Sequence, residues 1–221
     1  MSDDSFIREV NEEMRQDRAR LLWERFGPVA LVLAILVVLG TAAFVAYEYW
    51  AERQASRSGD AYLQALTLAN SGNSDEALAE LKTLEADGYG AYPVLARMRA
   101  ATVLADKGDF DGAVKAFDEV AADKAIPGVL RDMARLRAAY MLVDHGSYAD
   151  VSKRVEDLTA DTNPLRNSAR EALGLAAWKD GKPEDALKLF DQISSDDGAP
   201  RNARERATLM SELIRGSGAA S

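Results

Sequence analysis

One local pattern recurs four times along this chain, and recurrence at a nearly fixed interval restricts the fold more than any other feature of the sequence. The copies are GNSDEALAELKTL from Gly72, GDFDGAVKAFDEV from Gly108, GSYADVSKRVEDL from Gly146 and GKPEDALKLFDQI from Gly181, at intervals of 36, 38 and 35 residues. In each copy the glycine is followed by an apolar series: Ala77, Leu81 and Leu84; Ala113, Phe117 and Val120; Val151, Val155 and Leu158; Ala186, Phe190 and Ile193. Steps of four and then three residues keep one face of a helix apolar. Seven places before each glycine stands a small residue (Ala65, Ala101, Ala139 or Gly174), which marks a preceding helix and lets the two helices approach closely. The glycine is then the expected turn within each pair, where a left-handed backbone ends the first helix. Pro183 suits the first position of a new helix, and Pro127, Pro164 and Pro200 punctuate the ends of three units. No single pair has enough apolar surface to stand alone. Stacked, the four bury a continuous core as an all-α solenoid, with a polar helix from Asn202 to Arg215 closing one end.

A second feature lies upstream. Phe26 to Tyr47 runs for 22 positions without a charged side chain, in a sequence that is 29% charged. As a helix it is about 33 Å long at 1.5 Å per residue, which matches the roughly 30 Å hydrocarbon core of a bilayer. Eleven large apolar residues between Val29 and Val45 each favour insertion by roughly 0.3 to 0.6 kcal/mol. Trp23 and Phe26 at one end, and Tyr47, Tyr49 and Trp50 at the other, supply rings suited to the two headgroup layers. Arg8, Arg15, Arg18, Arg20 and Arg25 precede the stretch, against Arg53 and Arg57 in the twenty residues after it. That bias places the N-terminus in the cytoplasm and sends the other 174 residues across. A cleaved signal peptide is the alternative, with Thr41-Ala42-Ala43 as its small-residue site. The apolar run exceeds the roughly 7 to 15 residues of a signal core, which favours a retained anchor.

From Glu48 onward the sequence has 22 Lys and Arg against 29 Asp and Glu, a net charge of -7. Nucleic acid is bound chiefly through neutralised phosphates, so an acidic surface without a basic stripe argues against it as a partner. With no cysteine there are no disulfides and no thiolate metal sites, and the compartment stays open.

The repeat pattern resembles the tetratricopeptide repeat, whose unit is about 34 residues, although the aromatic positions of its first helix are mostly missing here. The whole layout is similar to a narrower family, the ancillary subunits of the bacterial Sec translocon. It rests on a short charged segment containing FIREVNEEMRQDR, one uncharged span ending near YEYW, and a glycine-punctuated repeat domain. The resemblance implies a single-pass inner-membrane protein with a periplasmic domain that meets the SecYEG channel and periplasmic chaperones. The expected organisation is a cytoplasmic segment (1–25), a transmembrane helix (26–47), a juxtamembrane helix or linker (48–58), a tetratricopeptide repeat-like domain (59–215) and a flexible tail (216–221).

Enzyme chemistry finds little support. His145 is the only histidine and sits beside Gly146 in an interhelical turn, so it reads as an exposed residue at a helix C-terminus. Asp109, Asp111, Glu184 and Asp185 invite a carboxylate-pair reading, but they stand where second helices begin and complement the helix dipole. Asp196-Asp197-Gly198 lacks the spaced oxygens of a calcium loop and reads as a turn. The expectation is therefore a protein without catalytic, cofactor or metal sites. Protein binding fits better: first helices of such a stack line its concave face. Tyr62 and Leu66, Met98 and Thr102, Leu136 and Tyr140, and Leu175 and Trp178 keep the required spacing. They form a candidate groove for a polypeptide segment, or alternatively pack between helices. Arg97, Arg135 and Arg170, each eleven residues before its glycine, form either a ladder for acidic ligands or local ion pairs. Three functions follow: a translocon-associated interaction protein contacting lipid through residues 26–47, a scaffold for envelope assembly or cell division, and a membrane-bound hydrolase, for which no catalytic cluster is visible.

Overall fold

The computed structural model of the protein describes residues 3–218, with side chains described at Met14, Arg20 and from Trp23 onward. Most side chains of FIREVNEEMRQDR, with the arginines at 8, 15 and 18, lie outside the described residues, as do positions 219–221 of the expected tail. The chain divides into two compact units, Met1–Gln54 and Ala55–Ser221.

The first unit belongs to helix α1 (Asp3–Asn70). Its apolar side chains face outward: Leu31, Val38 and Phe44 are 63%, 66% and 64% exposed. This is the one stretch among the described residues long and apolar enough to cross a membrane, and none of its most apolar window is buried; an N-terminal signal sequence has the same character. The Thr41 hydroxyl donates to the Val37 carbonyl at 2.8 Å, which satisfies a polar group that hydrocarbon would leave unsolvated. Rings gather at both ends. Arg25 lies over Phe26, Arg53 lies over Tyr49, and Tyr47 packs at 6.2 Å from Trp50. The Trp23 indole covers Gly27, where a β-carbon would come within 3.3 Å of the ring.

The described residues of the second unit form helices joined by short turns, with no strand among them. The C-terminal part of α1 (residues 55–70) pairs with α2 (Ser74–Asp87), α3 (Tyr92–Asp106) with α4 (Phe110–Ala122), α5 (Gly128–His145) with α6 (Tyr148–Val155), and α7 (Arg166–Lys179) with α8 (Pro183–Ser194). Helix α9 (Arg201–Gly216) packs on α8 and α7 and buries Ala207, Ser211 and Ile214. Four helix pairs and a terminal helix make the expected solenoid.

Each pair buries its small first-helix residue in the same core as the middle apolar residue of the second: Ala65 with Leu81, Ala101 with Phe117 and Ala139 with Val155 share a cluster, and Gly174 lies against the Phe190 ring. All twelve apolar positions of the repeated pattern are buried. Gly72, Gly108 and Gly181 have φ of 83°, 84° and 74°, the left-handed conformation that ends the first helix. Gly146 departs from this. Its backbone is extended, with φ -129° and ψ -168°, and Ser147 starts α6 with a reciprocal capping box to Asp150. Space is tight there as well: a β-carbon would lie 2.7 Å from Leu142 Cδ2, so that side chain would have to move. The third second-helix is also short, and a 3-10 turn (Glu156–Thr159) carries Leu158 into the core in its place.

Ion pairs tie first helices to the residues that follow second helices, at positions that shift from unit to unit. Arg97 meets Asp123 at 2.7 Å, Arg135 meets Asp157, and Arg166 grips Asp196 through two bonds of 2.7 and 3.0 Å. In each case an arginine of a first helix reaches a carboxylate just beyond the second. Arg170 pairs with Asp161 and lies 3.9 Å from Asp196. The three repeated arginines are thus engaged internally and do not form an open ladder. Asp196 also accepts from Asn167 and from its own turn at Gly198, and this set of donors, Arg166 first, holds its carboxyl well below the usual range. The Asp196-Asp197-Gly198 stretch is a turn fastened to α7.

Candidate docking surface

Two adjoining hollows open beside the first helices of units one to three. The smaller, about 300 Å³, is walled by Tyr62 and Leu66 of α1, Leu95, Met98, Arg99 and Thr102 of α3, Phe117 of α4, and Leu130, Met133 and Arg137 of α5. The larger, about 620 Å³, is walled by Phe110 of α4, by Met133, Leu136, Arg137, Tyr140, Met141, Asp144 and His145 of α5, and by Leu165 just before α7. Met133 and Arg137 belong to both, so the hollows share a wall.

The eight residues singled out from spacing are distributed between these hollows and the packed interior. Tyr62, Leu66, Met98 and Thr102 line the smaller hollow, and Leu136 and Tyr140 line the larger. Leu175 and Trp178 line neither; they pack half-buried against a cluster that includes Ala207 and Ile214 of α9. Met98 is half-buried and Tyr140 is 36% exposed. The equivalent face of the fourth unit is occupied by the terminal helix, which periodicity alone does not show.

Local chemistry fixes the walls. The Tyr140 hydroxyl lies 3.2 Å from the Ser168 carbonyl and 3.3 Å from Glu171 Oε2, while Glu171 takes two bonds from Arg206 at 2.6 and 2.8 Å. Burial, and then the adjacent Glu171 carboxylate, push the phenol up to about 12, so it stays a neutral donor with a fixed ring. Tyr62 packs on Tyr92 with ring centroids 6.0 Å apart. His145 is exposed at the end of α5, as its sequence position suggests, and it also stacks on Phe110, with centroids 3.6 Å apart and planes at 16°. This pair joins the second helix of one unit to the first helix of the next.

Sequence spacing passed over Phe110, Met133, Met141 and Leu165. One signal was present: Met133, Arg137, Tyr140 and Asp144 follow at steps of four, three and four, the face of a single helix. Phe110 and Leu165 carry no such signal, since both stand just outside the repeated apolar series and enter the wall through packing between units. The carboxylates at Asp109 and Asp111 belong to the start of α4, where Asp109 accepts from the Gly112 amide at 2.9 Å, and Glu184 and Asp185 lie in the first turn of α8.

A family model described as tetratricopeptide repeat-like domain matches residues 20–210. The chain belongs to that family. Its match takes in the apolar stretch of α1 together with all four helix pairs. Among solved structures, it is similar to the Podosopora anserina putative kinesin light chain with nearly identical TPR-like repeats. For a singly substituted form of that protein the TM-score is 0.58 at 16% identity, over 74% of this chain and 87% of that one. For a second structure of that protein the TM-score is 0.50 at 15% identity, over 76% and 99%. At such identities the likeness establishes the repeat fold. No match to a curated protein is found.

Proposed function

We propose that this tetratricopeptide repeat-like protein is a non-enzymatic, membrane-anchored protein-interaction module. Within that class we propose an ancillary subunit of the Sec translocon, one that recruits or assists periplasmic chaperones for exported proteins. The observation that carries the reading is the contrast within one chain. A repeat unit with an orderly buried core and an open apolar hollow follows an apolar stretch whose large side chains from Val29 to Val45 are half or more exposed. Surface of that kind is stable in lipid and costly in water. The family match, which spans anchor and repeats together, supports treating them as one architecture.

In this proposal α1 crosses the inner membrane once between residues 26 and 47, with the arginine-bearing N-terminus in the cytoplasm and the repeats in the periplasm. Tethering confines the hollows near the membrane surface, which raises their effective concentration for chains emerging there. Met98 and Tyr140, with Tyr62, Leu66, Thr102 and Leu136, form the docking surface in this reading. Methionine and aromatic side chains adapt to varied apolar partners.

The test is affinity capture from gently solubilised membranes, with photo-crosslinking side chains placed at Met98 and Tyr140. Channel subunits and periplasmic chaperones in the crosslinked eluate are the expected result. Crosslinks only to lipid or to copies of this chain would overturn the translocon assignment, and envelope-assembly or division proteins in their place would favour a scaffold.

A further inference from the structure

Two of the side chains that border the joined hollows are arginines without a carboxylate partner among the described residues. Arg97, Arg135, Arg154, Arg166, Arg170 and Arg206 each reach a carboxylate. Arg99 and Arg137, like Arg131 and Arg204, do not. Arg99 donates one bond of 3.3 Å to the neutral Asn70 amide oxygen, and its Nε is buried with no hydrogen-bond partner. Arg137 is exposed, and among the described residues no carboxylate pairs with it. Both arginines border the smaller hollow, and Arg137 also borders the larger one. A chain segment with net charge -7 from Glu48 onward thus keeps two arginines free of carboxylates at the junction of two apolar hollows.

We infer that the joined hollows accept an internal polypeptide segment in which a glutamate or aspartate is flanked by large apolar side chains. The carboxylate meets Arg137 and Arg99, and the apolar side chains enter the hollow on either side. This rests on the docking reading above and adds the chemistry of the partner. Carboxylate bound to guanidinium forms charge-assisted bonds of the strongest ordinary kind, and the partial burial of Arg99 reduces their screening. The shared wall sets the source of the carboxylate. A segment occupying both hollows passes Arg137 in mid-course, so the acid is a side chain and not a chain terminus. Asp144 sets the register: it borders the larger hollow about 10 Å further along α5, where it repels an acid placed deeper in that hollow.

The experiment uses the full-length protein in detergent micelles and fluorescence anisotropy of short labelled peptides with a Leu-Glu-Phe core. The acidic peptide is blocked at both ends; its companions are the blocked Leu-Gln-Phe form and the Leu-Gln-Phe form with a free C-terminal carboxylate. The acidic peptide is expected to bind at least about tenfold more tightly than the blocked glutamine form. Arg137→Gln, at an exposed position without an ion pair to lose, removes that preference, and Arg99→Gln reduces it. Added salt narrows it. Equal affinity for the two blocked peptides, or a preference that survives both substitutions, would overturn the inference. Binding of the free-carboxylate form as tight as that of the acidic peptide would overturn its side-chain assignment. If the peptides bind equally and Met133→Asp weakens them all, the docking surface stands and the acidic selectivity fails. If no peptide binds and the Met98 and Tyr140 crosslinkers capture no protein, both fail.

Discussion

Replacing Gly174 with alanine tests whether the size match between first and second helices, and not their apolar character alone, sets how closely they pack. A β-carbon at Gly174 would lie 3.0 Å from Phe190 Cζ, 3.2 Å from Cε2 and 3.3 Å from Cε1. Carbon contacts relax at about 3.5 to 4.0 Å, so the ring must retreat by about 0.5 Å. Phe190 is 1% exposed and belongs to a cluster with Ala177, Ile193, Ala207 and Ile214, so it has little free space to enter. Overpacking of this kind costs about 1 to 3 kcal/mol. Against it, alanine favours a helix interior over glycine by about 1 kcal/mol. The net expectation is a loss of up to about 2 kcal/mol. In a Phe190→Leu background the clashing ring atoms are gone, and Gly174→Ala should then stabilise by about 1 kcal/mol. The two sites are therefore coupled by about 1 to 3 kcal/mol. Hydrogen exchange of α7 and α8 amides in the full-length protein reads this locally, with α2 and α3 as internal controls, because each repeat contacts only its neighbours. Increased protection in Gly174→Ala alone, or additive effects in the double variant, would refute the steric argument.

Three further outcomes follow from the same geometry. Leu36→Arg, near the middle of the apolar stretch and 61% exposed, should cost about 2.5 to 3.5 kcal/mol of insertion free energy and lower the fraction retained in membranes after alkaline carbonate extraction; unchanged retention would argue against a span. Phe110→Ala should lose about 0.5 to 1.5 kcal/mol beyond the buried area it gives up, read as a lower denaturation midpoint, and most of the extra loss should vanish when His145 is already alanine. The Asp196 carboxyl is held below its usual range when folded, so its stabilisation is fully present above the unfolded value of about 3.9 and is lost as pH falls through that value toward the folded one. Asp196→Asn should be less stable than the parent at neutral pH and lose less on acidification; parallel acid-unfolding curves would contradict the assignment.

The regular part of the fold was legible because it is local. Each second helix repeats one spacing, and burial follows that spacing from Ala77 to Ile193 without exception. The small residues preceding each glycine were equally readable, since only a small side chain allows the approach seen between Gly174 and Phe190. At Gly146 the backbone is extended while three counterparts are left-handed, and it leads into the Ser147–Asp150 capping box that starts α6, a local feature that the repeat spacing does not register. Legibility also ended where contacts cross units. Leu175 and Trp178 keep the spacing of the concave face but meet a cluster shared with α9, because a solenoid must cover its last unit. The Phe110–His145 stack joins residues 35 positions apart. No helical period connects them.

These cross-unit contacts also explain why the candidate site cannot be assigned to one repeat. The smaller hollow takes wall residues from α1, α3, α4 and α5, and the larger takes them from α4, α5 and the approach to α7. Since stability in a solenoid is held largely in neighbour interfaces, a segment lying across both hollows bridges three of the four helix pairs that otherwise rely on contacts such as Arg97 with Asp123 and Phe110 with His145. Binding to the assembled stack, and not to separated units, then adds about 2.7 kcal/mol to its stability at a ligand concentration one hundred times Kd. In the proposed docking mode, whatever loosens the junction of α3, α4 and α5 would weaken the site, and whatever fills the site would stiffen that junction.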